Sequence, residues 1–159
     1  MQVWRLFPQR FRDTAFTGVG GLYVASRWNH QGISMVYTST SRALAALEFF
    51  VNLEPGEAPA DLQMAEAALP DDSVETLDTG LLPAGWRELN SLLCRDLGSA
   101  WAVRCRSLAL RVPSAVVDGD SNLVLNPAHP DFGKVAFKEP IPFRFDPRMF
   151  HRESPKPLE

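Results

Sequence analysis

The chain has 159 residues and is poor in cysteine, in net positive charge and in long apolar runs. Its two cysteines, Cys94 and Cys105, follow no N-terminal export signal, so we expect free thiols in a reducing compartment. The formal charge of -3 has the wrong sign for gripping nucleic-acid phosphates. Apolar runs such as residues 43–47 are far shorter than the ~20 residues of a membrane span. These absences predict a soluble, cytoplasmic protein without direct contact to nucleic acid or membrane.

Metal-ligating side chains and phosphate-binding loops are also scarce. The three histidines, His30, His129 and His151, lie far apart, and no Cys or His pair has a zinc-ligand spacing. Residues 17–21, Thr-Gly-Val-Gly-Gly, lack the third glycine of a dinucleotide fingerprint, and no P-loop motif is present. The sequence therefore predicts no metal site and no tightly held cofactor.

What the chain does have is the composition of one globular domain, with 45% hydrophobic and 22% charged residues. Thirteen prolines, many of them from Pro113 onward, exclude a helical bundle for the C-terminal half and favour short strands. Neither repeats nor a long linker divide the chain. We predict a single α+β domain over residues 1–150, followed by an extended polar tail over residues 151–159.

Periodicity places the main elements. Apolar and polar residues alternate over residues 33–38, which predicts a strand carrying Tyr37. Hydroxyl residues 39–41 then offer N-caps for a helix over residues 42–52, stopped by Pro55-Gly56. A second helix is predicted over residues 88–105, and residues 61–69 fit either a helix or a strand. Further short strands are predicted at residues 1–7, 108–112, 115–117, 122–125 and 135–138.

The first of these helices contains one ionisable residue among apolar ones. Leu44, Leu47 and Val51 form a stripe, and the remaining residues leave almost no polar face, which predicts a buried helix. Glu48 lies at the edge of this stripe, where an unpaired carboxylate is costly. Glu48 therefore either faces a cleft or is a solvated edge residue or part of an ion pair with an arginine, and the helix pattern leaves these alternatives open.

Other polar residues lie among apolar ones at three further places: Arg27-Trp28-Asn29, Tyr37 and Ser114. Each also has a purely structural explanation. Arg27 fits a surface cation, Trp28 and Tyr37 fit core aromatics, and Ser114 fits a turn cap.

The order of the surrounding motifs resembles the RES family, named for its arginine, glutamate and serine. The resemblance covers about residues 4–150 and is carried by these segments: Arg27-Trp28-Asn29 with Gly32, Val36-Tyr37, Ala46-Leu47-Glu48, Leu82-Pro83-Ala84-Gly85-Trp86, Leu97-Gly98-Ser99-Ala100-Trp101, Val112-Pro113-Ser114-Ala115-Val116, Asn126-Pro127-Ala128-His129-Pro130 and Phe145-Asp146-Pro147-Arg148. Three positions depart from the family pattern. Asn52 replaces a frequent His, Leu123 a frequent aromatic residue and Ser26 a frequent Gly.

This resemblance implies the toxin of a type II toxin–antitoxin system, with a fold similar to the ADP-ribosyltransferases. It implies an enzyme that breaks the nicotinamide–ribose bond of NAD by phosphorolysis or hydrolysis, which depletes NAD and arrests growth. NAD is then a substrate, with inorganic phosphate as a candidate co-substrate, and no cofactor is needed. The implied partners are an Xre-like helix-turn-helix antitoxin and a second copy of the chain. The alternatives are ADP-ribosylation of a protein target and a non-enzymatic interaction module.

The resemblance also implies catalytic roles for Glu48, Arg27 and Tyr37. We expect Glu48 to bond the ribose hydroxyls and stabilise the positive ribose that forms when nicotinamide leaves. Arg27 is expected to bind the pyrophosphate, because a guanidinium forms bidentate bonds to phosphate oxygens. The Tyr37 ring is expected to stack on nicotinamide, with its hydroxyl at the rim of the cleft.

Three more residues are predicted to contact NAD: Trp28, Ser114 and Asn126. Ser114 has three candidate partners, which are the ribose, a phosphate and the Glu48 carboxylate. Asn126 precedes a proline and also fits a plain turn residue.

Overall fold

The computed structural model describes residues 1–54, 59–88 and 91–150. In chain order its strands and helices are β1 (Gln2–Pro8), α1 (Gly20–Tyr23), β2 (Val36–Ser39), α2 (Arg42–Phe50), β3 (Leu62–Ala68), β4 (Val74–Thr76), α3 (Leu92–Arg104), β5 (Ala109–Pro113), β6 (Ser121–Leu125), β7 (Ala136–Phe137) and β8 (Ile141–Phe143). Short 3-10 turns connect several of them. The predicted α+β class is confirmed, while the proposed tail over residues 151–159 lies outside the described residues.

The strands form one sheet with the order β4-β5-β6-β2-β1-β3-β7, and β8 also pairs with β3. Neighbours are antiparallel except β4 and β5, which are parallel. The sheet thus joins strands that are distant in the sequence, and its centre is formed by β6, β2 and β1.

The pairing between β1 and β2 is the weakest point of this sheet. Trp4 opposite Ser39 is the one pair in register between them, whereas β1 and β3 are paired over seven positions. Because backbone pairing holds strands about 4.8 Å apart, β1 and β2 are free to diverge beyond Trp4. We call the space between them the strand gap.

Helices α2 and α3 cover the same face of the sheet. Alternation along the strands places the residues packed against α2 and those packed against α3 on one side. The first group comprises Leu6, Leu62 and Met64, with Ala45 of α2, and the second comprises Leu110, Val112 and Val124, with Cys94, Trp101 and Ala102 of α3. A third cluster, which includes Val3, Val36, Leu123 and Leu125, fills the opposite face.

Helix α2 begins as the sequence predicts but is less buried than expected. The Ser41 hydroxyl accepts a hydrogen bond from the Leu44 amide (3.1 Å), which confirms the N-cap. Leu44 is buried, but Leu47 is 37% exposed and Val51 is 55% exposed. The prediction that the whole stripe is buried was therefore wrong, because only one side of the helix meets the sheet. The predicted stop at Pro55-Gly56 lies outside the described residues.

Other elements also differ from the prediction. Residues 61–69, left open between helix and strand, contain strand β3. Residues 115–117 form a bend instead of a strand, because the Ser114 hydroxyl accepts hydrogen bonds from the amides of Val116 and Val117. Helix α3 begins at Leu92, later than residue 88, and continues through Gly98. Within the described residues, none of the helices has the length and apolar character needed to cross a bilayer.

Gly98 allows α3 to approach the loop that carries Trp28. A Cβ atom at Gly98 would lie 2.0 Å from the main-chain oxygen of Trp28, so a larger residue forces the two segments apart. We predict that Gly98→Ala lowers the free energy of unfolding by about 1–3 kcal/mol. Helix propensity alone would favour Ala by about 1 kcal/mol, so the two effects have opposite signs. Urea or thermal unfolding measures the difference.

Gly20→Ala is the matched control, because a Cβ atom there meets no heavy atom within 4 Å. That variant is expected to be as stable as the unaltered protein or slightly more stable. A Gly98→Ala protein with unchanged stability would contradict the close packing of α3 against the Trp28 loop.

Candidate active site

A cavity of about 250 Å³ lies in the strand gap, beneath α2. Its walls include residues 4–6 of β1, residues 37–39 of β2, Glu48 and Phe49 of α2, Asn52 after α2, and Asn122 of β6. We call it the strand-gap cavity. It combines an apolar aromatic surface with a few polar groups, which is the usual composition of a ligand site.

Glu48 is the acidic group of this cavity. Its Oε1 atom accepts hydrogen bonds from the Ser114 hydroxyl (2.7 Å) and from the Asn122 side-chain amide (2.5 Å). In the part of the chain that the structure describes, no arginine or lysine pairs with this carboxylate. Of the alternatives left open by the helix pattern, the structure shows a cleft residue held by neutral donors.

Ser114 is almost completely buried and has a fixed hydrogen-bonding direction. Its hydroxyl oxygen accepts from the amides of Val116 and Val117, both at 3.0 Å. A serine hydroxyl has two acceptor sites and one proton, so its proton is directed to Glu48. Of the three partners considered for Ser114, the structure shows the carboxylate.

Asn122 completes the support of Glu48, and the sequence analysis missed it. Its Oδ1 atom accepts from the Ser39 hydroxyl (2.7 Å) while its Nδ2 atom faces Glu48. The contact depends on β2 and β6 pairing with Ser39 opposite Asn122. The sequence signal was a pair of polar residues at one end of each short strand, which does not reveal that these strands are neighbours.

Arg5 is the cation of the strand-gap cavity, and the sequence analysis also missed it. One of its terminal nitrogens donates to the Tyr37 main-chain oxygen (3.3 Å). Desolvation by burial lowers the pKa of Arg5 to about 10, an effect that nearby Tyr37 partly opposes. The guanidinium therefore remains protonated at neutral pH. Among the described residues no carboxylate forms an ion pair with Arg5, which leaves its charge available to an anionic ligand.

Arg27 lies beside Trp86 and Glu88, apart from the strand-gap cavity. Its Nη1 atom donates to the main-chain oxygens of Trp86 (2.8 Å) and Glu88 (2.9 Å). Its guanidinium also lies 6.0 Å from the centre of the Trp86 ring. The described walls of the strand-gap cavity do not include Arg27, so the structure does not bring it to Glu48. Its predicted contact with pyrophosphate stays a prediction.

Tyr37 contacts both the strand-gap cavity and the loop of Trp28 and Asn29. The residue belongs to the cavity wall, but its hydroxyl donates to Asn29 Oδ1 (2.7 Å) and accepts from the Trp28 amide (3.1 Å). Burial raises the pKa of Tyr37 to about 12, so the hydroxyl stays neutral. The expected position of this hydroxyl at the cleft rim is corrected, because it is bonded within the Trp28-Asn29 loop.

The remaining predicted NAD contacts lie in the core. The Trp28 side chain is buried and packs 6.1 Å from the Trp86 ring. Asn126 is also buried, and its amide nitrogen donates to the Ala102 main-chain oxygen (2.8 Å) while its Oδ1 atom accepts from the Ala128 amide (3.0 Å). The structure shows Asn126 as a turn residue tied to α3. Contacts of Trp28 and Asn126 with NAD stay predictions.

Asn52 occupies the position of the family's frequent His. Its side-chain amide donates to the main-chain oxygen of Glu48 (2.8 Å), so it satisfies a carbonyl at the end of α2. It contacts the Glu48 backbone and leaves the carboxylate to Ser114 and Asn122. Within the described residues, no group of three His, Cys, Asp or Glu side chains is arranged to hold a metal ion.

Comparisons with known proteins show what the chain as a whole is similar to. The RES domain model matches residues 2–146. A Sphingobium sp. (strain YBL2) protein named "Prs ADP-ribosylating toxin" is 37% identical, with 94% of this chain and 96% of that protein covered. A Yersinia enterocolitica protein named "Toxin Res" is 30% identical, with 94% and 99% covered.

Among solved structures, the crystal structure of the M. tuberculosis MbcT–MbcA toxin–antitoxin complex is similar, with a TM-score of 0.62. It covers 94% of this chain and 86% of that one at 16% identity, so this similarity concerns the fold alone. The family model spans β1 to the last strand, including Glu48, Ser114 and Arg27. The chain therefore belongs to the RES domain family.

Proposed function

We propose that the protein is the toxin of a toxin–antitoxin pair and that it breaks the nicotinamide–ribose bond of NAD. The observation that carries this proposal is the strand-gap cavity, which is lined by a firmly held carboxylate, Glu48, and a guanidinium, Arg5. Within the described residues no carboxylate forms an ion pair with this guanidinium. A site with one anion and one cation suits a substrate that has a cationic ring at one end and phosphates further along. Membership of the RES family and the names of the relatives support the same function.

The reaction needs charge stabilisation more than proton transfer. When the bond between ribose C1′ and the pyridinium nitrogen breaks, the electron pair stays with nitrogen and nicotinamide leaves as a neutral molecule. The ribose becomes oxocarbenium-like, and the negative charge of Glu48 stabilises it. The oxygen of water or phosphate then bonds to C1′, and water loses a proton in doing so.

Different walls of the strand-gap cavity contact different parts of the substrate. Arg5 binds the phosphate nearest the reacting ribose, because its buried charge forms no ion pair with any carboxylate in the described part of the chain. Trp4, Phe49 and the Tyr37 ring offer aromatic surface to nicotinamide. The cavity volume of about 250 Å³ lies just below the range of about 300–1,000 Å³ usual for ligand pockets, so it accepts the reacting end of the dinucleotide. Arg27 then contacts phosphate further out.

A specific observation favours a protein side chain as a second candidate acceptor of ADP-ribose. The 37% identical Sphingobium relative carries a name that describes ADP-ribosylation of Prs. In that version of the function, a nucleophilic side chain of a protein bonds to C1′ instead of water or phosphate. The same cavity serves both versions, because the departure of nicotinamide is common to them.

Regulation by a partner completes the proposal. The similar MbcT–MbcA structure is a toxin–antitoxin complex, and this supports a neutralising antitoxin for the present chain. We infer an Xre-like helix-turn-helix antitoxin, which supplies the DNA contact, and a homodimeric toxin acting in the cytoplasm on its NAD.

Release of free nicotinamide tests the function. Purified protein is incubated with NAD in three arms: buffer alone, inorganic phosphate, and purified Prs protein with labelled NAD. We expect nicotinamide in at least one arm, and the arm in which it appears identifies the acceptor. Absence of nicotinamide from all three arms would contradict NAD cleavage and favour a non-enzymatic interaction module.

Removing the charge of Glu48 should abolish turnover. We predict that Glu48→Gln lowers the rate of nicotinamide release by about 100-fold or more, because a neutral amide cannot stabilise the positive ribose. Circular dichroism confirms that the variant is folded. Glu54→Gln is the control, since Glu54 is an exposed carboxylate beyond the end of α2 and should keep full activity. A folded Glu48→Gln protein that retains turnover would rule out the assigned role.

Two arginines are predicted to bind phosphate, and lysine substitutions compare them. Arg5→Lys keeps the charge but loses the planar set of donors, so we expect KM for NAD to rise about tenfold or more. Arg27→Lys should also raise KM, by a smaller factor, because Arg27 lies outside the cavity wall. Arg104→Lys, at the exposed end of α3, is the control. An unchanged KM in either variant would count against that arginine as a phosphate contact.

A further inference from the structure

The Glu48 carboxylate is held at one oxygen only. Both hydrogen bonds, from Ser114 and from Asn122, end on Oε1. Within the described residues, Oε2 accepts no hydrogen bond. A carboxylate fixed at one oxygen presents the other in a defined direction, and for Glu48 that oxygen is available to the strand-gap cavity.

The amide of Asn122 has a defined orientation. An ionised carboxylate only accepts hydrogen bonds, so the atom facing Glu48 is the amide nitrogen. The amide oxygen consequently faces Ser39, whose hydroxyl donates to it at 2.7 Å. Ser39, Asn122 and Glu48 thus form a chain of hydrogen bonds in which every proton has one direction.

A role for Asn122 in holding the sheet together does not explain the hydrogen bonds from Ser39 through Asn122 to Glu48. Strands β2 and β6 are paired in register at four positions through their backbones, including Ser39 opposite Asn122. The Thr38 hydroxyl also donates to the Leu123 main-chain oxygen (2.7 Å), and the Thr40 hydroxyl to the Ser121 main-chain oxygen (2.9 Å). The register is therefore secured without the Asn122 amide, and that amide is directed at the carboxylate.

We propose that Asn122, oriented by Ser39, is a positioning residue that turns Glu48 so that Oε2 faces the ribose of the substrate. This inference rests on the proposed NAD cleavage and adds a residue to it. Ser114 and Asn122 approach Oε1 from different elements, because Ser114 lies directly after β5 and Asn122 belongs to β6. Together they restrict the carboxylate to one rotation, and such preorganisation favours the transition state over the bound substrate.

Alanine substitution tests the positioning role through kinetics. In Asn122→Ala, Glu48 keeps one donor and can rotate, so we expect kcat for nicotinamide release to fall about tenfold or more with KM changed by less than about threefold. Ser39→Ala leaves the amide in place but frees its orientation, so the loss should be smaller and in kcat as well. A kcat for Asn122→Ala within twofold of the unaltered protein would overturn the proposal.

An isosteric substitution gives a second readout that a merely structural role would not change. In Asn122→Asp the introduced carboxyl group lies within hydrogen-bond distance of Glu48. Two carboxyl groups this close keep one shared proton at pH values at which a single carboxyl group is already ionised. With that proton bound, the introduced group still donates to Oε1. Activity relative to the unaltered protein should therefore be highest near pH 5 and fall as the pH rises to about 9.

Asn52→Asp is the matched control for added negative charge. Asn52 also lines the strand-gap cavity, but its amide reaches the main-chain oxygen of Glu48 instead of the carboxylate. The activity of Asn52→Asp relative to the unaltered protein should not show the same fall as the pH rises. Parallel pH profiles for Asn122→Asp and the unaltered protein, or the same fall in Asn52→Asp, would overturn the proposal. Asn122→Asp keeps the side-chain shape, so it serves also if Asn122→Ala does not fold.

A measurement without turnover separates this inference from the proposed function. The ¹³C chemical shift of the Glu48 carboxyl carbon, followed by NMR, should move in folded Asn122→Ala and stay unchanged in folded Asn52→Ala. An unchanged shift in Asn122→Ala would overturn the positioning role even if the protein consumes NAD. If the unaltered protein releases no nicotinamide, the proposed function fails, while the shift still decides whether Asn122 holds the carboxylate.

Discussion

The early separation of β1 from β2 is the constraint on which the site depends. A sheet paired fully across its centre would have no room for a ligand between these strands. Here one pair in register, Trp4 with Ser39, joins the two strands, and residues of both strands line the strand-gap cavity. The gap allows Arg5 to reach the Tyr37 main-chain oxygen and places the edge of α2 over an open space. Seven pairs between β1 and β3 compensate for the lost pairing.

The strand-gap cavity is lined by one carboxylate and one guanidinium, and the proposed binding of an anionic dinucleotide rests on this arrangement of charges. Glu48 is supported by neutral donors, and among the residues described no lysine or arginine forms an ion pair with it. Burial desolvates Arg5, and no carboxylate of the residues that the structure describes forms an ion pair with it. In the proposed function a phosphate pairs with Arg5 and the positive ribose with Glu48, which offsets the cost of holding the Arg5 guanidinium away from water. The overall charge of -3 does not describe this local arrangement.

The sequence predicted the parts of the site that depend on local pattern. The N-cap at Ser41 and the unusual carboxylate of Glu48 follow from periodicity within one helix, and the resemblance to the RES family added Ser114. Arg5 and Asn122 could not be found in this way, because each acts through strands that pair only in the folded sheet. The bend at residues 115–117 was mistaken for a strand, because its valines favour strands and the Ser114 hydroxyl overrides that preference. Tyr37 was placed correctly in its strand, but the partner of its hydroxyl depends on a loop with no periodic pattern.

The central claim is that the reacting end of NAD occupies the strand gap, with its ribose against Glu48. A crystal structure of the protein with a non-cleavable NAD analogue tests this most directly. The account predicts a ribose hydroxyl within about 2.6–3.2 Å of Glu48 Oε2 and a phosphate oxygen at a similar distance from Arg5. An analogue ordered outside the strand gap, for example in a separate cavity lined by Phe16 and Phe137, without contact to Glu48, would contradict it.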